Sequence, residues 1–415
     1  MNIVVYPHDL DIGGSQLNAV ELAAAVRDLG HQVVVFGRPG ALNARIEELG
    51  LEFVPAPEPG KRPSPSVARA LRELVEERGV DLIHGYEWPP VLDAVLAVGM
   101  RRRPAVMATI MSMSVPPFIP RSVPLVVGTE EIAAAENRAR RRSVSVIEPP
   151  VDLRHNDVAQ DPGVADFVRR FGLTGDRLTI VSVTRFAREL KLEGTLSAIE
   201  TVGRMARRTP VRLVLVGDGP ERGEVERRAR EANDEGGEGT VVLTGRVDDP
   251  RPAYACADIA LGMGGSALRA LAYGSPLIVQ GEAGFWKTLT PETVDAFLWT
   301  GWYGVDGGAE YGVEALEREL LPLVTSSSRR EELAQYGLGL VRERFSLSRA
   351  AQLQERAYVA AVEHPPVLAA ASHALAAARY AGYYAGKRMR RARGTESTDD
   401  FNARPVTARN RGGRA

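Results

Sequence analysis

Residues 1–37 read MNIVVYPHDLDIGGSQLNAVELAAAVRDLGHQVVVFG. An apolar run, Ile3-Val4-Val5-Tyr6, meets a glycine turn, Asp11-Ile12-Gly13-Gly14-Ser15-Gln16. A stretch with Val20, Leu22 and Ala23 on its apolar side follows, and then a second β-branched run, Gln32 to Phe36. Strand, turn, helix and strand in that order make a βαβ unit, whose two strands lie parallel because the helix carries the chain back across the sheet. Gly13 and Gly14 let the backbone come close to a phosphate or a sugar. Ser15 is placed to cap the helix, whose first amides attract an anion. A plain tight turn would use the same residues, so the rest of the chain has to decide between the two.

The alternation continues outward. Further strands are expected at Leu82 to His84, Ala105 to Ile110, Leu125 to Val127 and Ser145 to Ile147, with helices in the gaps. A second series starts after Asp152, with strands at Leu178 to Val183, Arg212 to Val216, Thr240 to Thr244, Ile259 to Leu261 and Leu277 to Gln280. Glu148-Pro149-Pro150-Val151-Asp152 joins the two series as a stiff linker. The class is α/β, with two doubly wound domains, 1–150 and 151–345, whose ligands are expected at the carboxyl ends of the strands in a cleft between the halves. Residues 346–363 read as a helix crossing back to the first domain, and 364–415 as an Ala-rich basic helix running into a disordered polar tail.

At 415 residues, two domains are the natural division. The 53 acidic residues nearly cancel the 52 basic ones, so no global field draws the chain to nucleic acid. A single cysteine, Cys256, excludes an internal disulfide and fits a reducing cytoplasm. Met1 leads directly into the first strand without the charged start of a signal peptide, and no apolar stretch is long enough to cross a bilayer. The expected setting is cytoplasmic, in solution or at the inner face of the membrane.

Each strand end of the second series carries a polar or glycine-bearing turn. Arg185 follows Val181-Ser182-Val183, and Lys191 comes six residues later. Two fixed cations at a strand end suit a diphosphate, which gathers charge as it leaves. Val216-Gly217-Asp218-Gly219-Pro220-Glu221 shapes a wall and starts the next helix, while Gly245, Arg246 and Val247 are placed to meet a nucleobase edge. Ala257-Asp258-Ile259-Ala260-Leu261-Gly262-Met263 then leads through Gly264, Gly265 and Ser266 into a helix N-terminus.

The order of these blocks resembles the retaining glycosyltransferase family 4. The matching features are the early glycine pair, Leu22-Ala23 with Leu29-Gly30-His31-Gln32-Val33, the Arg185 and Lys191 pair, the "VG.GP" and "G.V" turns, Ala257-Asp258, and Ala270-Leu271-Ala272-Tyr273-Gly274-Ser275-Pro276. The resemblance runs from Met1 to about Val362 and implies the GT-B fold, two Rossmann-like domains facing across a cleft. It also implies transfer of a sugar, hexosyl in type and with retention, from a nucleotide-sugar donor, the leaving phosphate itself helping to deprotonate the acceptor. Arg185 and Lys191 would be the catalytic cations, with Gly13, Gly14, Gly245, Arg246, Val247, Gly264, Gly265, Ser266 and Arg269 around the donor.

The pattern departs from the family at three points. Leu261 and Arg269 stand where two glutamates are usual, and Met111 stands where many members have a histidine. Substitutes would then do the work: backbone amides and the Ser266 hydroxyl on the donor, Arg269 with the phosphate cations, and Glu282 as a nearby carboxylate. The alternatives are a different donor or acceptor class, or a catalytically silent partner that binds nucleotide sugars.

Asp81-Leu82-Ile83-His84-Gly85-Tyr86 is similar to the family's "D..H.H" segment, which makes His84, Glu87 and Trp88 the acceptor candidates, with Trp88 able to stack on a sugar. Met107, Met111, Met113, Val115, Phe118 and Ile119, with Arg101-Arg102-Arg103 before them and Arg138-Ala139-Arg140-Arg141-Arg142 after, read as core packing or as an apolar groove suited to a lipid-linked acceptor. The Lys387 to Arg393 run reads as a solvated charge cluster or as a peripheral membrane contact. The six histidines show no ligand spacing, so no metal cofactor is expected.

Overall fold

The computed structural model describes residues 1–101, 103–139, 144–364, 370–394, 401–402 and 406. Arg102, Arg140-Arg141-Arg142 and most of the polar tail lie outside the described residues. The chain divides into two compact units, one made of Met1–Pro149 with Leu347–Ala415 and the other of Pro150–Ser346.

The first unit starts with β1 (Asn2–Tyr6), α1 (Gly14–Arg27), β2 (Gln32–Gly37), α2 (Asn43–Glu48) and β3 (Glu52–Pro55). It continues with α3 (Pro65–Arg78), β4 (Leu82–Tyr86), α4 (Trp88–Val98), β5 (Ala105–Ile110), β6 (Leu125–Val127), α5 (Glu130–Ala139) and β7 (Ser145–Val146). Its seven strands lie in the order β3-β2-β1-β4-β5-β6-β7, and every pair is parallel. The central strands are buried on both faces, which explains their unbroken apolar runs. Local signals set the helix ends: α3 has Pro65 in its first turn and closes on Gly79 at φ 58°.

The second unit holds α6 (Val164–Arg170), β8 (Leu178–Val183), α7 (Glu193–Ala206), β9 (Val211–Val216), α8 (Arg222–Gly236) and β10 (Val241–Gly245). Then come α9 (Arg251–Ala255), β11 (Ile259–Gly262), α10 (Gly265–Ala272), β12 (Leu277–Gln280), β13 (Trp286–Thr288), α11 (Val294–Thr300), α12 (Gly312–Thr325) and α13 (Ser327–Arg344). The strand order is β10-β9-β8-β11-β12-β13, parallel except for the β12–β13 pair.

Two further helices complete the first unit, α14 (Leu347–Glu363) and α15 (Ala370–Ala392). α14 packs on α1 and β5. α1 nevertheless buries polar residues, Gln16 against the loop after β1, where it donates to Asp9 at 2.7 Å, and Glu21 beside Arg45 of α2 at 3.9 Å. The polar tail was expected to be disordered, yet three of its described residues pack on the first unit. Asn402 Oδ1 accepts from the Met113 amide at 3.0 Å, the Phe401 carbonyl from Ser114 Oγ at 2.8 Å, and the Val406 amide donates to the Met113 carbonyl at 3.1 Å. Phe401 supplies the apolar contact that a reading of average composition overlooks, with its ring 6.0 Å from Phe118.

Candidate active site

In the second unit the chain moves outward from β8 to β9 and β10, then returns to the other side of β8 with β11. The switch point therefore lies between β8 and β11, where loops diverge and leave a crevice at the carboxyl ends of the strands. Arg185 stands in the loop leaving β8 and is exposed. Lys191 sits in a kinked turn, Arg188–Leu192, in which Leu190 takes φ 66°. It is half-buried, and burial pushes its ammonium down to about 8 against the opposing pull of Glu282. Among the described residues, neither cation's side chain makes a hydrogen bond or a salt bridge.

The "VG.GP" turn braces this loop. The Phe186 amide donates to the Asp218 carbonyl at 3.0 Å, and the Glu221 amide donates to the Phe186 carbonyl at 3.0 Å. A Cβ at Gly217, whose φ is 144°, would stand 1.9 Å from the Thr184 carbonyl oxygen, and one at Gly219 would stand 2.4 Å from that of Phe186. Only glycine allows this approach, so the turn holds the backbone on both sides of Arg185.

On the other side of the switch point only Met263 and Gly264 join β11 to α10. Gly264 takes φ 54°, and the Ser266 hydroxyl donates to the Met263 carbonyl at 3.0 Å. Arg269 lies back along its helix, with an Nη 3.2 Å from where a Cβ on Gly265 would be. Leu261, aligned with a family glutamate, is inside β11 and packs in the core, because the two-residue loop leaves that position in the strand. Gly245 ends β10 at φ 69°, Arg246 is exposed, and Val247 packs against the apolar cluster that includes Phe167 and Val216. After β12, the Tyr303 hydroxyl donates to Glu282, and Glu193 accepts from the Ala283 and Gly284 amides at 3.1 and 2.7 Å. Gln280 Nε2 donates to the Lys191 carbonyl at 3.1 Å, tying that loop to the cation's backbone.

The first unit has its own switch point, between β1 and β4. Gly13 precedes α1 in extended conformation, and Gly14 opens the helix. Glu87 reaches the same place from β4, at φ 67°, an uncommon region for a residue with a side chain. Its carboxylate accepts from Ser15 Oγ at 3.3 Å, the Met111 amide at 2.9 Å and Ser112 Oγ at 2.9 Å. Burial raises its pKa, while His8 and these donors oppose the rise. Alongside, Asp9 contacts His8 at 2.9 Å and accepts from Gln16 Nε2 at 2.7 Å. Burial would push Asp9 up, but the pull of His8 and the hydrogen bonds prevail and bring it to about 2.

Two acceptor candidates sit differently from expectation. His84 is wholly buried inside β4, with Nδ1 2.6 Å from the Tyr358 hydroxyl and Nε2 2.7 Å from Thr109 Oγ1. Both ring nitrogens are engaged within the fold, because the strand runs two residues beyond the expected end and takes His84 with it. Trp88 opens α4 and is half-buried, edge-on to Phe118 at 5.5 Å and 6.0 Å from the Tyr380 ring of α15.

The structure thus gathers Gly13, Gly14, Ser15 and Glu87 at one switch point, and sets Arg185 and Lys191 across the other from Gly264, Gly265 and Ser266. Sequence reasoning passed over His8, Asp9, Ser112, Glu193 and Tyr303. His8-Asp9 directly after the first strand was the visible signal. Nothing in the sequence marked Glu193 or Tyr303, which act through contacts distant along the chain. Among the described residues no group of three or more His, Cys, Asp or Glu is placed to hold a metal ion.

Two mainly parallel sheets covered by helices, each with its polar residues at a switch point, define the GT-B class of α/β proteins. Two family descriptions match in tandem, a glycosyl transferase 4-like domain over residues 13–184 and glycosyl transferases group 1 over residues 177–300. Together they make the chain a glycosyltransferase. A glycosyltransferase from Rickettsia africae ESF-5 shares the fold at TM-score 0.68 and 15% identity, covering 88% of this chain and 99% of that one. Anabaena Alr3699/HepE, solved in complex with UDP, matches at TM-score 0.68 and 15% identity over 87% and 100% of the two chains. WaaG, a glycosyltransferase involved in lipopolysaccharide biosynthesis, matches at TM-score 0.55 and 15% identity over 86% and 98%. No curated protein matches the sequence.

Proposed function

We propose that the chain is a retaining hexosyltransferase similar to family 4, which moves a sugar from a nucleotide-sugar donor to a glycan, lipid-linked or small-molecule acceptor. The observation that carries this reading is the pair of cations, Arg185 and Lys191, without side-chain partners among the described residues and at the switch point of the second unit. A diphosphate supplies the charge that the half-buried Lys191 lacks, and the braced Arg185 loop keeps its cation in place as the leaving group gains charge. The amides of Gly264 and Gly265, the Ser266 hydroxyl and Arg269 would complete the phosphate and sugar contacts, and the Gly245, Arg246 and Val247 turn would meet the base. The solved complexes of Alr3699/HepE with UDP and with UDP-glucose support a uridine nucleotide as the first to try.

In the reaction the bond from the anomeric carbon to the diphosphate breaks, the acceptor oxygen bonds to that carbon, and its proton passes to a leaving phosphate oxygen. The two cations take the electrostatic role otherwise given to a metal ion. On the acceptor side we assign Glu87 and Trp88, Gly13 and Gly14 stay with the donor candidates, and His84 serves the fold. The proposed setting is cytoplasmic, with peripheral contact at the inner face of the membrane. No described helix is long and apolar enough to cross a membrane.

Calorimetric titration with UDP, GDP and their sugar conjugates tests the donor reading. Micromolar binding of one nucleotide is expected, weakened at least tenfold in Arg185→Ala and in Lys191→Ala. Absence of binding to every nucleotide would withdraw it.

A further inference from the structure

α15 has two different long faces. Ala376, Tyr380, Tyr383 and Lys387 recur at helical spacing and form the side turned to the first unit. The Phe118 ring lies 5.1 Å from both Tyr380 and Tyr383, and the Tyr380 hydroxyl donates to the Arg62 carbonyl at 2.6 Å. This anchoring fixes what the opposite face must show. Leu375, Ala378, Gly382, Ala385 and Met389, also at helical spacing, are all exposed, Leu375 at 49% and Met389 at 57%.

A water-facing helix surface normally carries its polar residues outward, and this one does not. From Ala374 to Gly386 every exposed residue is Ala, Leu, Gly or Tyr. Apart from Arg379, which donates to the Pro117 carbonyl at 3.4 Å, the charges are gathered at one end, with Lys387, Arg388, Arg390, Arg391 and Arg393 within seven residues. Residues 370–394 hold no aspartate or glutamate, the next acids being Glu396, Asp399 and Asp400 beyond the helix. Cations in a last turn suit the helix dipole, but one or two suffice for that. Arg388, Arg391 and Arg393, exposed on a helix without acids and following an apolar stripe, match an anionic lipid surface in both charge and polarity: the stripe meets the acyl boundary and the exposed arginines meet the headgroups.

We propose that the outward face of α15 docks the enzyme on an anionic lipid bilayer. The inference rests on the membrane-surface part of the function proposed above and names the element and the lipid charge it requires. Because α15 is fastened to Phe118 and, through Tyr380, beside Trp88, docking brings the loops proposed for the acceptor to the membrane with it.

The test is flotation of the full chain with vesicles of phosphatidylcholine and phosphatidylglycerol in equal parts, and with phosphatidylcholine alone. Two variants are compared, Arg388→Glu with Arg393→Glu, and Leu375→Asp with Met389→Asp. The wild-type chain is expected to float with the anionic vesicles, to lose most of this binding in 0.5 M salt, and to stay behind with the neutral ones. Each double variant should partition at least tenfold less. UDP titration of the same preparations reports the donor site separately, so a chain that binds UDP and fails to float overturns this inference alone. Equal binding to neutral vesicles, or unchanged flotation of the arginine variant, would also overturn it. A dimer by light scattering that does not float would assign the stripe to a second copy instead.

Discussion

Lys191 is the residue whose charge state bears most directly on donor binding. Its ammonium sits near 8 in the free protein because burial disfavours the charged form. A bound diphosphate favours that form, so nucleotide binding should take up a proton as the pH rises past 8. Nucleotide affinity is therefore expected to fall between pH 7 and pH 9.5, and Lys191→Arg should remove the slope while keeping binding. Titrations at four pH values check this.

His84 gives a second pH effect, on stability. Burial holds its folded pKa down at about 3, well below the unfolded value. Stability is then complete above the unfolded pKa near 6.5 and is lost as the pH falls through the interval towards 3, since only the unfolded chain takes up the proton. At pH 5 the loss is about 2 kcal/mol. Thermal unfolding of the wild type should show this loss, and His84→Gln should flatten the profile between pH 7 and pH 5 at a constant cost of about 1 kcal/mol. The sequence read His84 as a strand-end residue facing the ligand, and the two further residues of strand place it in the core instead.

Among the elements, the legible ones were those with both faces buried. β1, β2, β5 and β8 announce themselves as β-branched runs, because no side of them meets water. β3 and β13 went unseen because each is a short edge strand, Glu-Phe-Val-Pro and Trp-Lys-Thr, half turned to solvent and without an apolar run. The glycine turns were visible as turns, but their purpose was not. Gly217 is required by a carbonyl of another loop, and that contact exists only after the sheet has formed. Gly217→Ala is expected to displace the Arg185 loop and cost several kcal/mol, on the order of 3, by strain and lost hydrogen bonds. Chemical denaturation measures the cost, and UDP titration of the folded fraction reports the displaced loop.

For the molecule as a whole, the two alternating series and the proline linker foretold two α/β units. The donor residues proposed from the sequence came largely from strand-end turns. The turns after β8 and β11 flank the switch point of the second sheet, whereas the Gly245 turn follows its edge strand β10 and Gly13 and Gly14 follow β1 of the first. The pattern of the acceptor side was less legible. Its buried carboxylate, Glu87, is held by Ser15 from the first turn of α1 and by Met111 and Ser112 from the loop after β5, and no spacing along the chain encodes that convergence. Removal of residues 365–415 is expected to lower the unfolding midpoint of the first unit by several degrees, as Phe118 and Trp88 lose their aromatic cover. Nucleotide affinity should be unchanged, which calorimetry can show on the same sample.

The return of α14 to the first unit sets an order of events during synthesis. Tyr358 and Gln354, which fill the space beside His84 and Met107, leave the ribosome only after every residue of the second unit has been made. The second unit, continuous from Pro150 to Ser346, has all its parts while the first still waits for its last helix. The nascent amino-terminal half therefore stands with an open flank on α1 and β5 for roughly ten seconds or more at ordinary elongation rates. A fragment of residues 1–149 should bind holding chaperones and resist folding alone, whereas residues 150–346 should fold independently; limited proteolysis of the two fragments would tell.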